Sequence, residues 1–84
     1  MRKDKPQTPA RGDLPPHVYR KPWGQGYTYR DENGQTLTNK PWRRWIKRLA
    51  IPPAWEAVEI TLDTEARVFA SGRDSAGRKQ YVYN

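Results

Sequence analysis

The sequence predicts an α+β fold, in which an antiparallel sheet of about five short strands is combined with one or two short helices. Two observations predict this fold. Apolar residues recur at every second position in several short runs, which are separated by turns rich in glycine, asparagine and aspartate. Helical spacing is clear in one stretch, near the middle of the chain. Because the strands and the helix are segregated along the chain, the sheet is expected to be antiparallel.

The size and charge of the chain limit its functions. It has 84 residues and no cysteine, and 16 lysines and arginines against 9 acidic residues leave a net charge of +7. Such a surplus of positive charge is typical of proteins that bind nucleic acid or another anionic surface. The chain has no apolar run long enough to span a membrane and no thiolate ligand for a metal. We therefore expect a soluble, cytoplasmic and nucleoid-associated protein without membrane, metal or cofactor.

Residues 1–22 are predicted to form a flexible, basic, proline-rich arm, and residues 23–84 a single folded domain. Five of the eight prolines lie in this arm, which has almost no periodic apolar signal. Burial of so few apolar groups cannot offset the entropy lost on ordering. His17, the only histidine, also lies in the arm. A serine–histidine or cysteine–histidine pair is therefore not expected in the folded part.

The domain is predicted to begin with a β-hairpin. Two β-prone runs, residues 27–30 and residues 35–38, flank the dipeptide Asn33-Gly34. Asn-Gly between two such runs is a strong hairpin signal, because both residues adopt the positive φ angles of a tight turn.

A helix is predicted to follow, with Thr38 or Asn39 as its cap and Pro41 in its first turn. Its apolar residues share one face at helical spacing: Trp42, Trp45, Ile46 and Leu49. Its other face carries four cations with no acidic residue among them: Arg43, Arg44, Lys47 and Arg48. We expect Arg43, Arg44 and Lys47 to contact phosphate groups. The alternative is an ordinary solvated basic face.

Three more strands are predicted after Pro52-Pro53 ends the helix. In the first, Val58, Ile60 and Leu62 alternate with polar residues and face the core. A turn at residues 63–66 leads to a strand at residues 67–71. A second turn, at residues 74–77, leads to the last strand, residues 78–83.

This last hairpin carries the residues most suited to nucleic acid. A two-stranded ribbon fits the major groove, where arginine forks onto guanine or phosphate and glutamine pairs with adenine. Alternation places Lys79, Tyr81 and Tyr83 on one side of the strand and Arg78, Gln80 and Val82 on the other. The predicted DNA contacts are Arg73, Arg78, Lys79, Gln80, Tyr81 and Tyr83. The alternative is an edge strand in which tyrosine and cations are common for other reasons.

No catalytic constellation is predicted. The carboxylates occur on turns and do not face each other as a pair used for acid–base chemistry would. Asp74 is expected to cap the hairpin turn with its side chain rather than to bind a metal. We therefore do not expect an enzyme.

Three stretches resemble the N-terminal domain of type IB DNA topoisomerases of the bacterial and poxvirus kind, and the resemblance covers residues 23–83. They are Gly24-Gln25-Gly26-Tyr27-Thr28-Tyr29-Arg30-Asp31 followed by Gly34, Ile51-Pro52-Pro53-Ala54-Trp55, and Gly72-Arg73-Asp74-Ser75-Ala76-Gly77-Arg78-Lys79-Gln80-Tyr81-Val82-Tyr83. The resemblance implies a five-stranded antiparallel sheet that forms half of a clamp around duplex DNA. It also implies that Gln80, Tyr81 and Tyr83 contact bases and phosphates, with Arg78 beside them.

The family's nucleophilic tyrosine lies in a separate C-terminal domain, so no tyrosine of this chain is expected to be a nucleophile. The expected function is non-catalytic binding of double-stranded DNA, with a catalytic domain in the same or another chain as a further partner. Two alternatives remain at this stage. The chain could be a basic module that binds an acidic protein, or part of a full-length topoisomerase or tyrosine-recombinase enzyme.

Overall fold

The computed structural model describes residues 11–84, which form a five-stranded antiparallel sheet with one short helix on one of its faces. The elements are β1 (His17–Trp23), β2 (Gly26–Arg30), α1 (Lys40–Arg48), β3 (Glu56–Thr61), β4 (Val68–Arg73) and β5 (Lys79–Tyr83). The strand order is β2-β1-β3-β4-β5, so β2 and β5 are the two edges. The predicted antiparallel sheet is confirmed, and the described residues contain a single helix. No helix in residues 11–84 is long and apolar enough to cross a membrane.

Strand β1 lies where the sequence analysis places a flexible arm, so the arm boundary at residue 22 is wrong. β1 pairs with both β2 and β3, and Val18 and Arg20 are buried. The prolines of this segment argued against a strand, and Pro22 in particular lacks the N–H that an interior strand needs. The pairing of β1 with β3 ends at Tyr19. The missing N–H of Pro22 therefore interrupts no ladder. The first ten residues of the predicted arm lie outside the described residues.

The first hairpin is also built differently from the prediction. β2 pairs with β1 across the turn at Gly24-Gln25, rather than with residues 35–38. The predicted strand at residues 35–38 is reduced to one bridge, between Arg30 and Thr36. Asn33-Gly34 does lie in a turn, which Asp31 stabilises by accepting main-chain hydrogen bonds at 2.9 Å. The Asn-Gly dipeptide thus predicted the position of the turn correctly. It did not predict that the segment after the turn pairs with β2 through a single bridge.

Helix α1 forms as predicted. Asn39 caps it by accepting a hydrogen bond from the Trp42 N–H at 2.9 Å, and Pro41 lies in the first turn. Its apolar face packs on the sheet, where the rings of Trp45 and Phe69 meet edge to face with centroids 5.0 Å apart. The buried core consists of Val18, Leu37, Trp42, Trp45, Ile46, Val58, Ile60, Leu62 and Ala70. One helix covering one face leaves the other face of the sheet open.

The strands after the helix confirm the predicted alternation and turns. Val58 and Ile60 on β3 and Leu62 just beyond it are buried. Asp63 closes the next turn, where its side chain accepts the Glu65 N–H at 2.9 Å. β4 then begins one residue later than predicted and extends two residues further.

Arg20 joins β1 to the loop between α1 and β3. Its guanidinium donates hydrogen bonds to the main-chain oxygens of Ile51, Pro52 and Trp55, at 3.3, 3.0 and 2.9 Å. It also stacks over the ring of Tyr27, 4.3 Å from the ring centroid. Only 9% of Arg20 is exposed. A loop that contains two prolines has few partners of its own for its carbonyls, and this buried side chain supplies them.

We expect Arg20→Lys to lower the free energy of unfolding by about 2 kcal/mol, because the ammonium cannot span the same three carbonyls and bonds to charged groups are the stronger ones. Urea denaturation followed by tryptophan fluorescence measures this loss. The neighbouring exposed cation offers a matched control: Lys21→Gln should change stability by no more than about 0.5 kcal/mol. If the Arg20→Lys variant proved as stable as the wild type, the loop would not depend on these bonds.

Candidate nucleic-acid interface

The β4–β5 hairpin brings together the six residues predicted to contact DNA at the end of the chain. Arg73 lies opposite Lys79 in the register, and Gly72 lies opposite Gln80. Lys79, Tyr81 and Tyr83 are exposed on the open face, whereas Gln80 and Val82 are half-buried on the helix side. The predicted alternation of β5 is thus confirmed. Because β5 is an edge strand, one long side of this hairpin is open to a ligand.

Asp74 organises the hairpin turn, as the sequence analysis predicts. Its Oδ1 accepts hydrogen bonds from the main-chain N–H groups of Ala76 at 3.0 Å and Arg78 at 2.9 Å. Its Oδ2 accepts from the Arg78 Nε at 3.0 Å and from the Gln80 Nε2 at 2.9 Å. The Arg78 N–H, followed by the Gln80 side chain, lowers the pKa of Asp74 from 3.8 to about 2. Asp74 is therefore ionised near neutral pH, when it holds two side chains of the predicted site.

The contact with Asp74 leaves Gln80 with the groups that adenine requires. A side-chain amide has two N–H donors and one oxygen acceptor. One N–H of Gln80 is bound to Asp74, so the other N–H and the oxygen remain. Adenine presents one acceptor, N7, and one donor, the N6 amino group, in the major groove. The contact with Asp74 thus uses one donor of Gln80 and leaves one donor and one acceptor, the number that this pairing requires.

Arg78 is held in a similar way. Its Nε is bound to Asp74, while 74% of its side chain is exposed. The terminal guanidinium nitrogens remain available for a phosphate or for guanine. Asp74 therefore holds the Nε of Arg78 and leaves the two terminal nitrogens of the guanidinium in solvent.

Two cations lie directly opposite each other on the hairpin. Arg73 and Lys79 are register partners, and both are exposed. Like charges in directly opposed positions destabilise a strand pair. Arg73 also donates a hydrogen bond to the main-chain oxygen of Gly77 at 3.0 Å, which supports the turn. On its other side Arg73 lies opposite Glu56 of β3. An anionic ligand would be attracted by both Arg73 and Lys79.

Tyr81 and Tyr83 form an exposed aromatic pair next to these cations. They are 45% and 66% exposed, and their ring centroids are 5.9 Å apart. Large exposed aromatic side chains can stack on a base or donate a hydroxyl hydrogen bond to a phosphate.

The three helix cations predicted to contact DNA lie elsewhere. Arg43, Arg44 and Lys47 are exposed on α1 and border a cleft between this helix and β2. β2 is the edge opposite β5, four strand spacings away, which corresponds to roughly 19 Å. The structure therefore does not unite the helix cations with the hairpin.

Sequence analysis missed two kinds of residue around these surfaces. Tyr27 and Tyr29 border the helix cleft, and Trp23 is 66% exposed on the open face, with the Arg30 guanidinium 5.9 Å from its ring. All three lie in or next to the misassigned first hairpin, whose correct register would have revealed their faces. Among residues 11–84, no group of three or more potential metal ligands is present.

We expect Gln80→Ala to raise the pKa of Asp74 towards 3.8 without reaching it, because the backbone donors remain. A lowered carboxyl pKa stabilises the fold above the unfolded pKa of about 3.9 and loses this effect as the pH falls towards the folded value. The pH range between the folded and unfolded pKa of Asp74, over which its protonation destabilises the fold, should therefore be narrower in the variant. A carbon NMR titration of the Asp74 carboxyl group measures the change. Gln25→Ala, at the other hairpin turn, should leave this pKa unaltered, and an equal shift in both variants would contradict the assignment.

Comparisons with known proteins agree with these observations. The family model of the N-terminal domain of bacterial DNA topoisomerase IB matches residues 26–74, a range that ends before β5. A DNA topoisomerase 1B of Acanthamoeba polyphaga mimivirus is 41% identical over 68 residues, which cover 80% of this chain and 20% of that protein. No solved structure matches the chain. The chain belongs to the family of bacterial DNA topoisomerase IB N-terminal domains.

Proposed function

We propose that the chain is a non-catalytic module that binds double-stranded DNA through its β4–β5 hairpin in the major groove. The observation that carries this proposal is the orientation of Gln80 and Arg78 by Asp74, which leaves their recognition groups free. β4 is paired with β3, so the parts of the hairpin that can approach the groove, which is about 12 Å wide, are the turn at residues 74–77 and the uncovered edge strand β5. Membership of a family of DNA topoisomerase domains supports the same ligand.

In this proposal, some hairpin residues contribute affinity and others contribute sequence recognition. Arg73, Arg78 and Lys79 contact phosphates, which gives binding that is largely independent of sequence and sensitive to salt. Gln80 reads an adenine edge, and the two exposed tyrosines stack or donate to phosphates. A side chain that is already held in position loses less conformational entropy on binding, so the Asp74 contacts favour the complex.

The helix cations take a different part in this proposal. Arg43, Arg44 and Lys47 lie on α1 beside β2, the edge opposite β5, and we assign them no contact with the bases of the duplex. They contribute to the net charge of +7, which attracts DNA at long range and raises the association rate at low salt. Their direct partner is a separate question.

Strand cleavage is not part of the proposed role. The chain spans 20% of the length of the mimivirus relative. His17, which the sequence analysis places in the arm, lies in β1, where its Nδ1 is 3.4 Å from Thr61 Oγ1 and 3.3 Å from Glu59 Oε2. Both groups face the same ring nitrogen, so the imidazole is not held between an acid and a nucleophile as in a catalytic triad. We propose that catalysis belongs to another domain, in the same or another chain, with which this module shares the duplex.

A salt titration of duplex binding tests the proposal. We expect the logarithm of the affinity to fall linearly with the logarithm of the salt concentration, and Lys79→Gln to reduce the slope by about 1, because one phosphate contact is lost. Gln80→Ala should leave the slope unchanged and lower the discrimination between preferred and other duplexes by about tenfold or more.

Gln25→Ala is the matched control for Gln80→Ala, since it removes the same side chain from the β1–β2 hairpin. It should bind every duplex as the wild type does. If Gln80→Ala also retains full affinity and discrimination at all salt concentrations, the hairpin does not read the groove.

A further inference from the structure

A basic cleft between β2 and α1 has no role in the proposed contact with DNA. One wall is formed by Gly26, Tyr27 and Tyr29 of the edge strand, and the other by the helix. The helix supplies four cations to it: Lys40, Arg43, Arg44 and Lys47. No carboxylate lines the cleft in the described part of the chain. Four cations around one concavity repel each other, and an acidic ligand would relieve that repulsion.

The edge strand offers main-chain groups to a ligand in this cleft. Main-chain groups in an antiparallel strand point alternately towards one neighbour and towards the other. The Tyr29 carbonyl accepts a hydrogen bond from the Leu37 N–H at 2.7 Å, on the side away from β1. Tyr27, two residues earlier, therefore also directs its main-chain N–H and C=O away from β1.

These groups of Tyr27 are open to solvent. The segment that leads into α1 covers the β2 edge at Tyr29 and at the Arg30–Thr36 bridge, but it does not extend to Tyr27. Within residues 11–84, no main-chain hydrogen bond from outside the strand ladder ends at Tyr27. Most proteins cover or interrupt such an edge, because it is a template for another strand.

The Tyr27 side chain is fixed, so the edge is rigid at this place. The ring is stacked under the Arg20 guanidinium, and the hydroxyl donates to the Pro53 oxygen at 3.3 Å. Burial raises the pKa of the neighbouring Tyr29, against the opposing effect of Arg20 and Arg43. The Tyr29 hydroxyl is thus a neutral donor at physiological pH, which can add to the binding of a carboxylate.

We propose that this cleft binds an acidic polypeptide segment, which lies extended between β2 and α1, pairs with the main chain of Tyr27 and places its carboxylates against Arg44 and Lys47. A strand edge beside a helix is a known arrangement for peptide binding by strand addition, in which alternate side chains face the helix. A peptide main chain complements the free N–H and C=O groups, whereas a sugar–phosphate backbone has no such repeat of donors and acceptors.

The proposal predicts acidic residues at every second position of the ligand, because alternate side chains of an added strand face the helix. The acetylated and amidated peptide Glu-Val-Glu-Val-Glu is therefore a suitable probe, and the same peptide with glutamine in place of glutamate is its control. In an NMR titration the acidic peptide should shift the amide signals of α1 and β2. The Tyr27 amide should become protected from hydrogen exchange, since it gains a partner. The glutamine peptide should bind at least about tenfold more weakly.

Two double variants, each of which removes two positive charges, distinguish binding in the cleft from nonspecific electrostatic attraction of the peptide. Arg44→Gln/Lys47→Gln should weaken binding of the acidic peptide by about tenfold. Lys21→Gln/Arg67→Gln, which removes two exposed cations outside the cleft, should have less than a twofold effect. If both variants weaken binding equally, or if the Tyr27 amide exchanges as fast with peptide as without it, the proposal is overturned.

A short duplex provides the last arm of the test. If DNA shifts the signals of β5 and the hairpin but not those of α1, and does not displace the peptide, the two sites are separate as proposed. If DNA displaces the peptide and shifts the α1 signals, the cleft is a nucleic-acid site and the peptide proposal fails. If DNA leaves the hairpin signals unshifted while the peptide still binds, the proposed DNA contact fails and the cleft proposal stands.

Discussion

The buried guanidinium of Arg20 is the contact on which the rest of the domain depends. It holds the loop at residues 51–55 through three carbonyls, and so determines where β3 begins. Trp55, at the end of that loop, packs so closely on Gly72 that a Cβ atom there would lie 3.0 Å from its ring. Gly72 directly precedes Arg73 and the hairpin turn. A side chain on the first strand is thereby connected, through one loop and one close packing contact, to the position of the proposed DNA-binding hairpin.

The sheet has two edges, and the protein uses them differently. β5 carries exposed lysine and tyrosine side chains, and no further strand covers its outer side. β2 is partly covered by the segment before α1, and the part that remains open faces a concave basic cleft. The two proposed ligands, a duplex at β5 and an acidic peptide at β2, are both anionic but differ in shape. We propose that positive charge attracts both and that the shape of each edge distinguishes between them.

A carboxylate at the centre of a basic hairpin would lower its affinity for DNA if charge were the only consideration. Asp74 adds one negative charge to the hairpin, but it accepts four hydrogen bonds and thereby holds the side chains of Arg78 and Gln80 in position. Its lowered pKa shows how strongly these donors favour the ionised form. The same carboxylate accepts two main-chain hydrogen bonds of the turn, so one side chain both supports the turn and orients the residues proposed to read the groove.

The amino-acid sequence by itself determined the helix, the alternation of the last three strands and the turns between them. The spacing of Trp42, Trp45 and Ile46 predicted the helix. Alternation predicted which residues of β5 share a face, and Asp74 was correctly predicted to cap its turn. The tertiary structure alone decided the features that depend on distant partners. Pro22 is tolerated in β1 only because the pairing with β3 has already ended, and Arg20 is buried only because loop carbonyls converge on it. The helix cations are separated from the hairpin because β2 and β5 are opposite edges, and strand order is set by contacts between residues far apart in the chain.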